Sequence, residues 1–189
     1  MYLNIFSFKA YNAPKEEYDM ISKQNNCGEL PLVALLRSKP RAAAVINGSE
    51  VYPDISGLVR FYQTQNGVIV YAEVTGLPNS NKQCKNGIFG FHIHGGTSCT
   101  GNEEDPFSDA MTHYSVNNCG HPAHNGDLPP LFGNNGTALS VFLTNRFNID
   151  NVLGKTVIIH DGPDDFTSQP AGNSGKKIAC GIIRSVTRN

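Results

Sequence analysis

The sequence predicts an all-β domain with long functional loops. Only 16% of its 189 residues are charged, while 19 glycines and 11 prolines supply turn and loop positions. Several short runs alternate apolar and polar residues with a period of two, which is typical of strands with one face on a core. These features favour short strands joined by tight turns over a helical bundle.

The first forty residues depart from this alternation. They contain a weak helical patch, KEEYDMISK, after Asn12 and Pro14, then polar residues and LPLVALLRSKP. We therefore predict an N-terminal extension over residues 1–40 with a short helix, and a main domain over residues 41–189.

Alternation begins after Arg41 and marks the strands. In DISGLVRFYQT, Val59 and Phe61 share one face, and Asn66-Gly67 is a strong hairpin signal before GVIVYAEVTG. Further strand-like runs are IFGFHIH (88–94), GTALSVFLT (136–144), KTVIIH (155–160) and KIACGII (177–183). The stretches 95–135 and 161–176 between them are long and rich in Gly, Pro and Asn, and loops of that length inside a compact domain usually carry function.

All six histidines fall into one pattern, which reads His92-x-His94, His113, His121-x-x-His124-x-x-Asp127 and His160. Imidazole is the commonest transition-metal ligand, and a carboxylate after a His-x-x-His pair completes a zinc-like set. Within IFGFHIH, the period of two places both histidines on the face opposite Phe89, Phe91 and Ile93, where they can converge on one ion.

Counting ligands suggests two ions. His92, His94 and His160 make three ligands, and His121, His124 and Asp127 make three more, so each set is one short of four-coordination. A deprotonated His113 has two ring nitrogens and could complete both sets. Nitrogen ligands suit copper, and three histidines with a carboxylate suit tetrahedral zinc.

These residues lie in longer stretches that resemble the Cu/Zn superoxide dismutases of the bacterial type over about residues 41–186. The matching stretches are GFHIH, His113 with Tyr114, HPAHNGDLP, VIIHDGPDD and GNSGKKIACGII. The resemblance implies an eight-stranded Greek-key β-sandwich or barrel, and an enzyme that converts superoxide to dioxygen and hydrogen peroxide.

The resemblance also implies a role for each site residue. It implies copper on His92, His94, His113 and His160, and zinc on His113, His121, His124 and Asp127. Asp164 would join a copper histidine to a zinc histidine, and Cys99 would pair with Cys180. His113 and Lys177 would act on the substrate.

Lys177 departs from the family, which has an arginine three residues before the last-strand cysteine. Lysine keeps the positive charge but lacks the planar fork and is more strongly hydrated. We therefore expect activity below that of an arginine-bearing relative, and a gain when Lys177 is replaced by arginine. Met111, Thr112 and Ser115-Val116 around His113 also depart from the family.

Five cysteines leave at least one without an intramolecular partner. A second bridge between Cys84 and Cys119 is a further candidate pairing, and it would leave Cys27 as the remaining thiol. Disulfides favour an exported protein, whereas MYLNIFSFKAYNAPKEEYDM does not resemble an export signal. We predict a cytoplasmic protein, with an exported one as the alternative.

The charge and hydropathy patterns limit the classes of partner that we expect. A formal net charge of −1 gives no strong attraction to nucleic acid or to anionic lipid, and no run approaches the roughly 20 apolar residues of a membrane span. We therefore predict superoxide as a small-molecule substrate, no nucleic-acid or membrane partner, and a homodimer as the assembly to test.

Two other functions use the same residues. One is a dismutase-like protein that binds copper and zinc with little turnover, and the other is a zinc hydrolase, because His-x-His also opens hydrolytic sites. Hydrolytic zinc sites keep a position open for water and usually lie on helix-rich or mixed scaffolds. The all-β pattern and the paired ligand sets count against the hydrolase.

Overall fold

The structure is a computed structural model, and it describes residues 32–78, 87–116 and 118–186. Its strands are β1 Ala42–Gly48, β2 Ser56–Thr64, β3 Gly67–Thr75, β4 Ile88–Phe89, β5 Phe91–His94, β6 Leu131–Phe132, β7 Ala138–Thr144, β8 Thr156–His160, β9 Lys177–Ile182 and β10 Arg184–Ser185. Its helices are α1 Leu32–Arg37, α2 Ile149–Val152 and a 3-10 turn at Ser108–Ala110.

Eight of the strands form one antiparallel sheet. Its order is β5-β8-β9-β1-β2-β3-β7, with β10 also paired to β1, and β4 and β6 form a separate pair. Strands far apart in the chain are neighbours: β3 pairs with β7, and β1 pairs with β9. This curled sheet with crossovers confirms the predicted all-β Greek-key fold.

The β2–β3 hairpin turns where the sequence predicted it. Thr64 lies opposite Gly67, and the Thr64 hydroxyl donates to the Gly67 carbonyl at 2.9 Å. Gly67 has a φ of +132°, and a Cβ there would lie 2.3 Å from the Thr144 carbonyl oxygen. Glycine is therefore required both by the turn and by the close approach of the end of β7.

The core lies on one face of the sheet, as the alternation predicted. Val59 and Phe61 of β2 are fully buried, and every second residue of β3 from Val68 to Val74 is buried beside them. Burial of side chains of this size contributes roughly 1.5–3 kcal/mol each. These strands form a rigid base for the elements that carry the histidines.

The prediction of one strand over residues 88–94 was wrong, because Gly90 divides it. β4 pairs with β6, whereas β5 pairs with β8. The Gly90 amide donates to the Gly162 carbonyl at 2.7 Å, and a Cβ at Gly90 would lie 2.7 Å from the Cβ of Ser174. The break thus lets the loop that follows β8 pass close over the start of β5.

A second, smaller core lies under the loop that follows β5. Phe107 and Ala110 from this loop pack with Ile158 of β8 and Cys180 of β9, and Cys99 lies against them. The loop is therefore fixed to the outer face of the sheet. It covers the face that carries His92 and His94, which explains why all four residues of β5 are buried.

The described residues from 36 onwards form one compact unit. The predicted helical patch KEEYDMISK lies outside the described residues and stays a prediction. Within the described part of the extension, α1 spans Leu32–Arg37. No helix among the described residues is long and apolar enough to cross a membrane.

Candidate metal centre

Four histidines converge at the end of β5. His92 and His94 lie on β5, His160 ends the neighbouring β8, and His113 is bridged to His94 from the long loop. Their ligand nitrogens all lie within 4.8 Å of one another, and all four residues are buried. The Nε2 atoms of His94 and His160 are 3.3 Å apart. This is the geometry of a site that can hold one ion.

Backbone hydrogen bonds fix His113 to β5. The Gly95 amide donates to the Thr112 carbonyl, and the Tyr114 amide donates to the Ile93 carbonyl, both at 2.8 Å. Since these bonds flank His113 on both sides, the position of its ring is set by the edge of the sheet. The side chains of Met111 and Val116, where the sequence departs from the family, are exposed.

A second group contains His113, His121, His124 and Asp127. The Asp127 carboxylate lies 2.7 Å from Nδ1 of His113 and 3.2 Å from Nδ1 of both His121 and His124. Asp127 is itself bridged to His92 of β5. The two groups share His113, as the ligand count predicted.

Among the described residues, three buried ring nitrogens make no hydrogen bond: Nδ1 of His92, Nε2 of His113 and Nδ1 of His121, the last of which only lies near the Asp127 carboxylate. Leaving a buried polar atom unpaired costs free energy, so such atoms need an explanation. A metal ion would satisfy each of them. His113 is the informative case, because its Nδ1 contacts Asp127 in one group while its Nε2 is left for the other. The donor atoms therefore fit two ions around a shared ring.

Asp164 connects the two groups through buried hydrogen bonds. Its Oδ2 accepts from Nε2 of His92 at 2.7 Å, and its Oδ1 accepts from Nε2 of His121 at 2.8 Å. The Phe166 amide also donates to Oδ1, at 2.7 Å. Each of these histidines is thereby held with its proton on Nε2 and its Nδ1 lone pair facing the site, as metal-ligating histidines usually are.

The electrostatics of the site favour the neutral form of His92, His94 and His160. Burial lowers the pKa of His160 to about 3 and that of His94 well below its usual value, and neighbouring histidines add to the effect. Burial also lowers the pKa of His92, although the hydrogen bond to Asp164 opposes this. Neutral imidazole is the form that binds metal.

The two carboxyl groups remain ionised. Burial by itself would raise the pKa of Asp127, but hydrogen bonding and charge from His113 lower it below the usual range. Burial also opposes ionisation of Asp164, but hydrogen bonds, above all the one from His92, hold its pKa below the usual value. Each group therefore offers an anionic oxygen at neutral pH.

The predicted Cys99–Cys180 disulfide is present, with the two Cα atoms 5.6 Å apart. It joins the loop after β5 to β9. Cys84 lies outside the described residues, so the second bridge to Cys119 stays a prediction, as does the assignment of Cys27. Lys177 begins β9 opposite His160, at an irregularity in the β8–β9 register.

Lys177 also lines an open cavity, together with His94, His113 and His160. Sequence reasoning missed its partner: Asp105 accepts a hydrogen bond from Nζ of Lys177 at 2.5 Å. In the sequence, Asp105 is only the last acid of an Asn-Glu-Glu-Asp run, which is the pattern of a solvated loop. No signal in the sequence distinguishes it.

A family model for copper/zinc superoxide dismutases matches residues 55–183. The chain belongs to the Cu/Zn superoxide dismutase family. Copper and zinc are the metals of this family, superoxide is its substrate, and its members are oxidoreductases. Both ligand groups and Asp164 lie within the matched region.

Bacterial relatives agree with the family assignment. Cu-Zn superoxide dismutase 2 of Aquifex aeolicus is 32% identical over 146 residues, which is 69% of this chain and 80% of the relative. The Deinococcus radiodurans Cu-Zn superoxide dismutase is 33% identical over 150 residues, 70% of this chain and 79% of the relative. Among solved structures, a double mutant of a SOD-like protein from Bacillus subtilis has a TM-score of 0.61 at 24% identity, covering 76% of this chain and 97% of its own, and supports the fold.

Proposed function

We propose that the chain dismutates superoxide at a copper site formed by His92, His94, His113 and His160, beside a zinc site formed by His113, His121, His124 and Asp127. Two superoxide anions and two protons then give one dioxygen and one hydrogen peroxide. The observation that carries the proposal is His113, whose Nδ1 contacts Asp127 while its buried Nε2 has no partner.

Copper supplies one-electron redox chemistry when bound, because it cycles between two oxidation states. The protein's part is to hold the ligands in place and to handle protons. Nε2 of His113 is the atom at which a proton can be held and delivered, since Nδ1 is committed to the second group. Asp164 and the backbone bonds around His113 keep the rings oriented, which limits ligand movement between oxidation states.

We assign Lys177 the attraction of the substrate anion. Its ammonium group lies on the wall of the cavity that contains His94, His113 and His160, and a cation there raises the local concentration of a small anion. Replacing Lys177 by arginine should raise kcat/KM because arginine is less strongly hydrated. The decay of superoxide in a stopped-flow experiment measures kcat/KM. An unchanged value would contradict the expectation that arginine attracts the substrate better than lysine at position 177.

The test of the proposal is metal content together with turnover. Elemental analysis should give one copper and one zinc per chain, and superoxide decay should scale with bound copper. Replacing His113 by alanine should change the electron paramagnetic resonance spectrum of copper and remove most activity. A spectrum identical to that of the parent would contradict the shared ring.

A dismutase-like metal binder with little turnover is the second candidate. The pairing of Lys177 with Asp105 favours it, because the carboxylate offsets the charge that would attract superoxide. Turnover per bound copper separates the two functions: full metal occupancy with negligible superoxide decay would favour the binder.

We further propose a main domain over residues 41–189 with residues 1–40 as an extension, a homodimer, and no nucleic-acid or membrane partner. Sedimentation analysis and cell fractionation test these points.

For the compartment, the Cys99–Cys180 disulfide supports an exported protein over a cytoplasmic one, because disulfides persist in oxidising environments.

A further inference from the structure

The side chain of Lys177 is held by a specific partner. Its Nζ donates to Oδ2 of Asp105 at 2.5 Å, and the two side chains are 14% and 38% exposed. A pair between freely exposed side chains would contribute little, but here the lysine is largely enclosed. Asp105, the partner of the lysine that we propose attracts the substrate, is therefore part of the cavity wall.

The loop holds Asp105 from several directions. Its Oδ1 accepts from the Phe107 amide at 3.0 Å, and its own amide donates to Oδ1 of Asn102 at 2.9 Å. Its carbonyl accepts from the amides of Asn102 and Ser108. Both carboxylate oxygens are therefore engaged, one with the loop backbone and one with Lys177.

The loop is in turn attached to β9, the strand that carries Lys177. Phe107 packs into the small core beside Cys180, and Cys180 is bonded to Cys99 at the start of the same loop. Because Lys177 lies three residues before Cys180, the disulfide fixes both members of the pair in one rigid corner. The distance between Asp105 and Lys177 is thus set by the fold.

The charge around the cavity adds to this effect. Among the described residues that line it, acidic side chains outnumber basic ones: the acids are Glu50, Glu103, Glu104 and Asp105, and the bases are Lys176 and Lys177. A negative charge within hydrogen-bond distance of an ammonium offsets most of its attraction for a third ion. The side chains around the cavity therefore add little positive potential to that of the bound metal ions.

We infer that Asp105 is a positioning residue that holds Lys177 at the cavity wall and offsets its charge, so that anion capture is restrained. The inference rests on the proposed function, because it concerns how superoxide reaches the copper ligands. Its consequence is measurable: the rate of capture by the parent should depend only weakly on ionic strength, and release of Lys177 should restore a strong dependence.

The experiment compares Asp105→Asn with Asp150→Asn in the copper- and zinc-loaded protein. Asparagine keeps an oxygen that can accept from the Phe107 amide, so the loop retains its anchor. Asp150 is an exposed aspartate paired with Arg41 and is absent from the cavity lining, so its variant matches the change in net charge and the loss of an ion pair. Superoxide decay is measured at several ionic strengths, and azide binding is followed optically.

We expect Asp105→Asn to raise kcat/KM at low salt by roughly 3- to 10-fold, to tighten azide binding about 3-fold, and to lose the gain at high salt. Asp150→Asn should match the parent. Equal salt dependence and equal azide affinity in the two variants would overturn the inference, and so would a loss of azide affinity in Asp105→Asn. A steep fall of the parent's own rate constant with salt would also overturn it, and that measurement needs no variant.

A further readout separates this inference from the proposed function. In the metal-free protein, nitrogen-15 NMR should detect a protected Lys177 ammonium signal that disappears in Asp105→Asn and persists in Asp150→Asn. If no form of the protein turns over superoxide, the proposed function fails while this signal still decides whether Asp105 holds Lys177. Absence of the signal in the parent contradicts the pairing.

Discussion

Replacing Asp164 by asparagine should weaken metal binding without a comparable loss in the metal-free protein. The two carboxylate oxygens of Asp164 accept from Nε2 of His92 and Nε2 of His121. Asparagine offers one acceptor oxygen and one donor amide, so in either orientation its amide faces one of the two ring N–H groups. One buried hydrogen bond becomes an unfavourable contact between two donors.

The size of the effect follows from the burial of the lost bond. The Asp164 side chain is 1% exposed and the two histidine side chains are 0% exposed, so water does not replace the partner. A hydrogen bond to a charged group contributes about 1.5–3 kcal/mol, and its loss corresponds to roughly 10- to 150-fold in affinity. The metal-free protein can avoid most of this cost, because the affected ring can move its proton to Nδ1. A bound metal forbids that change.

The assay is a competition titration of copper and zinc against chelators, with urea unfolding of the metal-free protein in parallel. We expect at least one metal to bind about 10-fold or more weakly in Asp164→Asn, with a smaller change in metal-free stability. Asp150→Asn, which alters an exposed aspartate, should bind both metals as the parent does. Unchanged affinity for both metals in Asp164→Asn would refute the reasoning.

Two further predictions concern the metal-free protein. Replacing Cys99 and Cys180 by alanine removes a link across a sequence separation of 81. In the chain-entropy description, this should lower the free energy of unfolding by about 4.5 kcal/mol. Equal urea midpoints for the parent and the double variant would contradict this. The free energy of unfolding should also fall as pH drops from about 6.5 towards 3, because the unfolded chain protonates His160 in this range while the folded chain, with a pKa of about 3, does not. His160 alone then costs about 2 kcal/mol at pH 5, and urea midpoints that stay constant between pH 7 and pH 5 would exclude this.

Most of the strands and the two groups of candidate metal ligands could be predicted from the sequence. The hairpin at Asn66-Gly67 and the buried alternation from Val68 to Val74 follow from local rules, because turn type and side-chain period are set by adjacent residues. The grouping of the histidines was also predictable, since five of them follow from two spacings and one strand end, and the ligand count left His113 for the shared position.

Contacts between distant segments could not be predicted in this way. The break at Gly90 depends on the approach of Ser174, which is more than eighty residues away in the chain. Alternation placed His92 and His94 opposite the core, but their complete burial comes from loops that return over that face. Asp105 acquires its role only because Phe107 and the disulfide bring its loop to Lys177.

The pairing of β1 with β9 has a consequence for synthesis of the chain. Asn47 lies opposite Cys180, so β1 keeps one edge open until almost the whole domain has left the ribosome. An open strand edge is a template for pairing with other chains, and long-range pairing is slow. Nascent chains of this protein thus pass through a stage in which β1 is vulnerable to association, and His160 is the last of the candidate ligands to be synthesised.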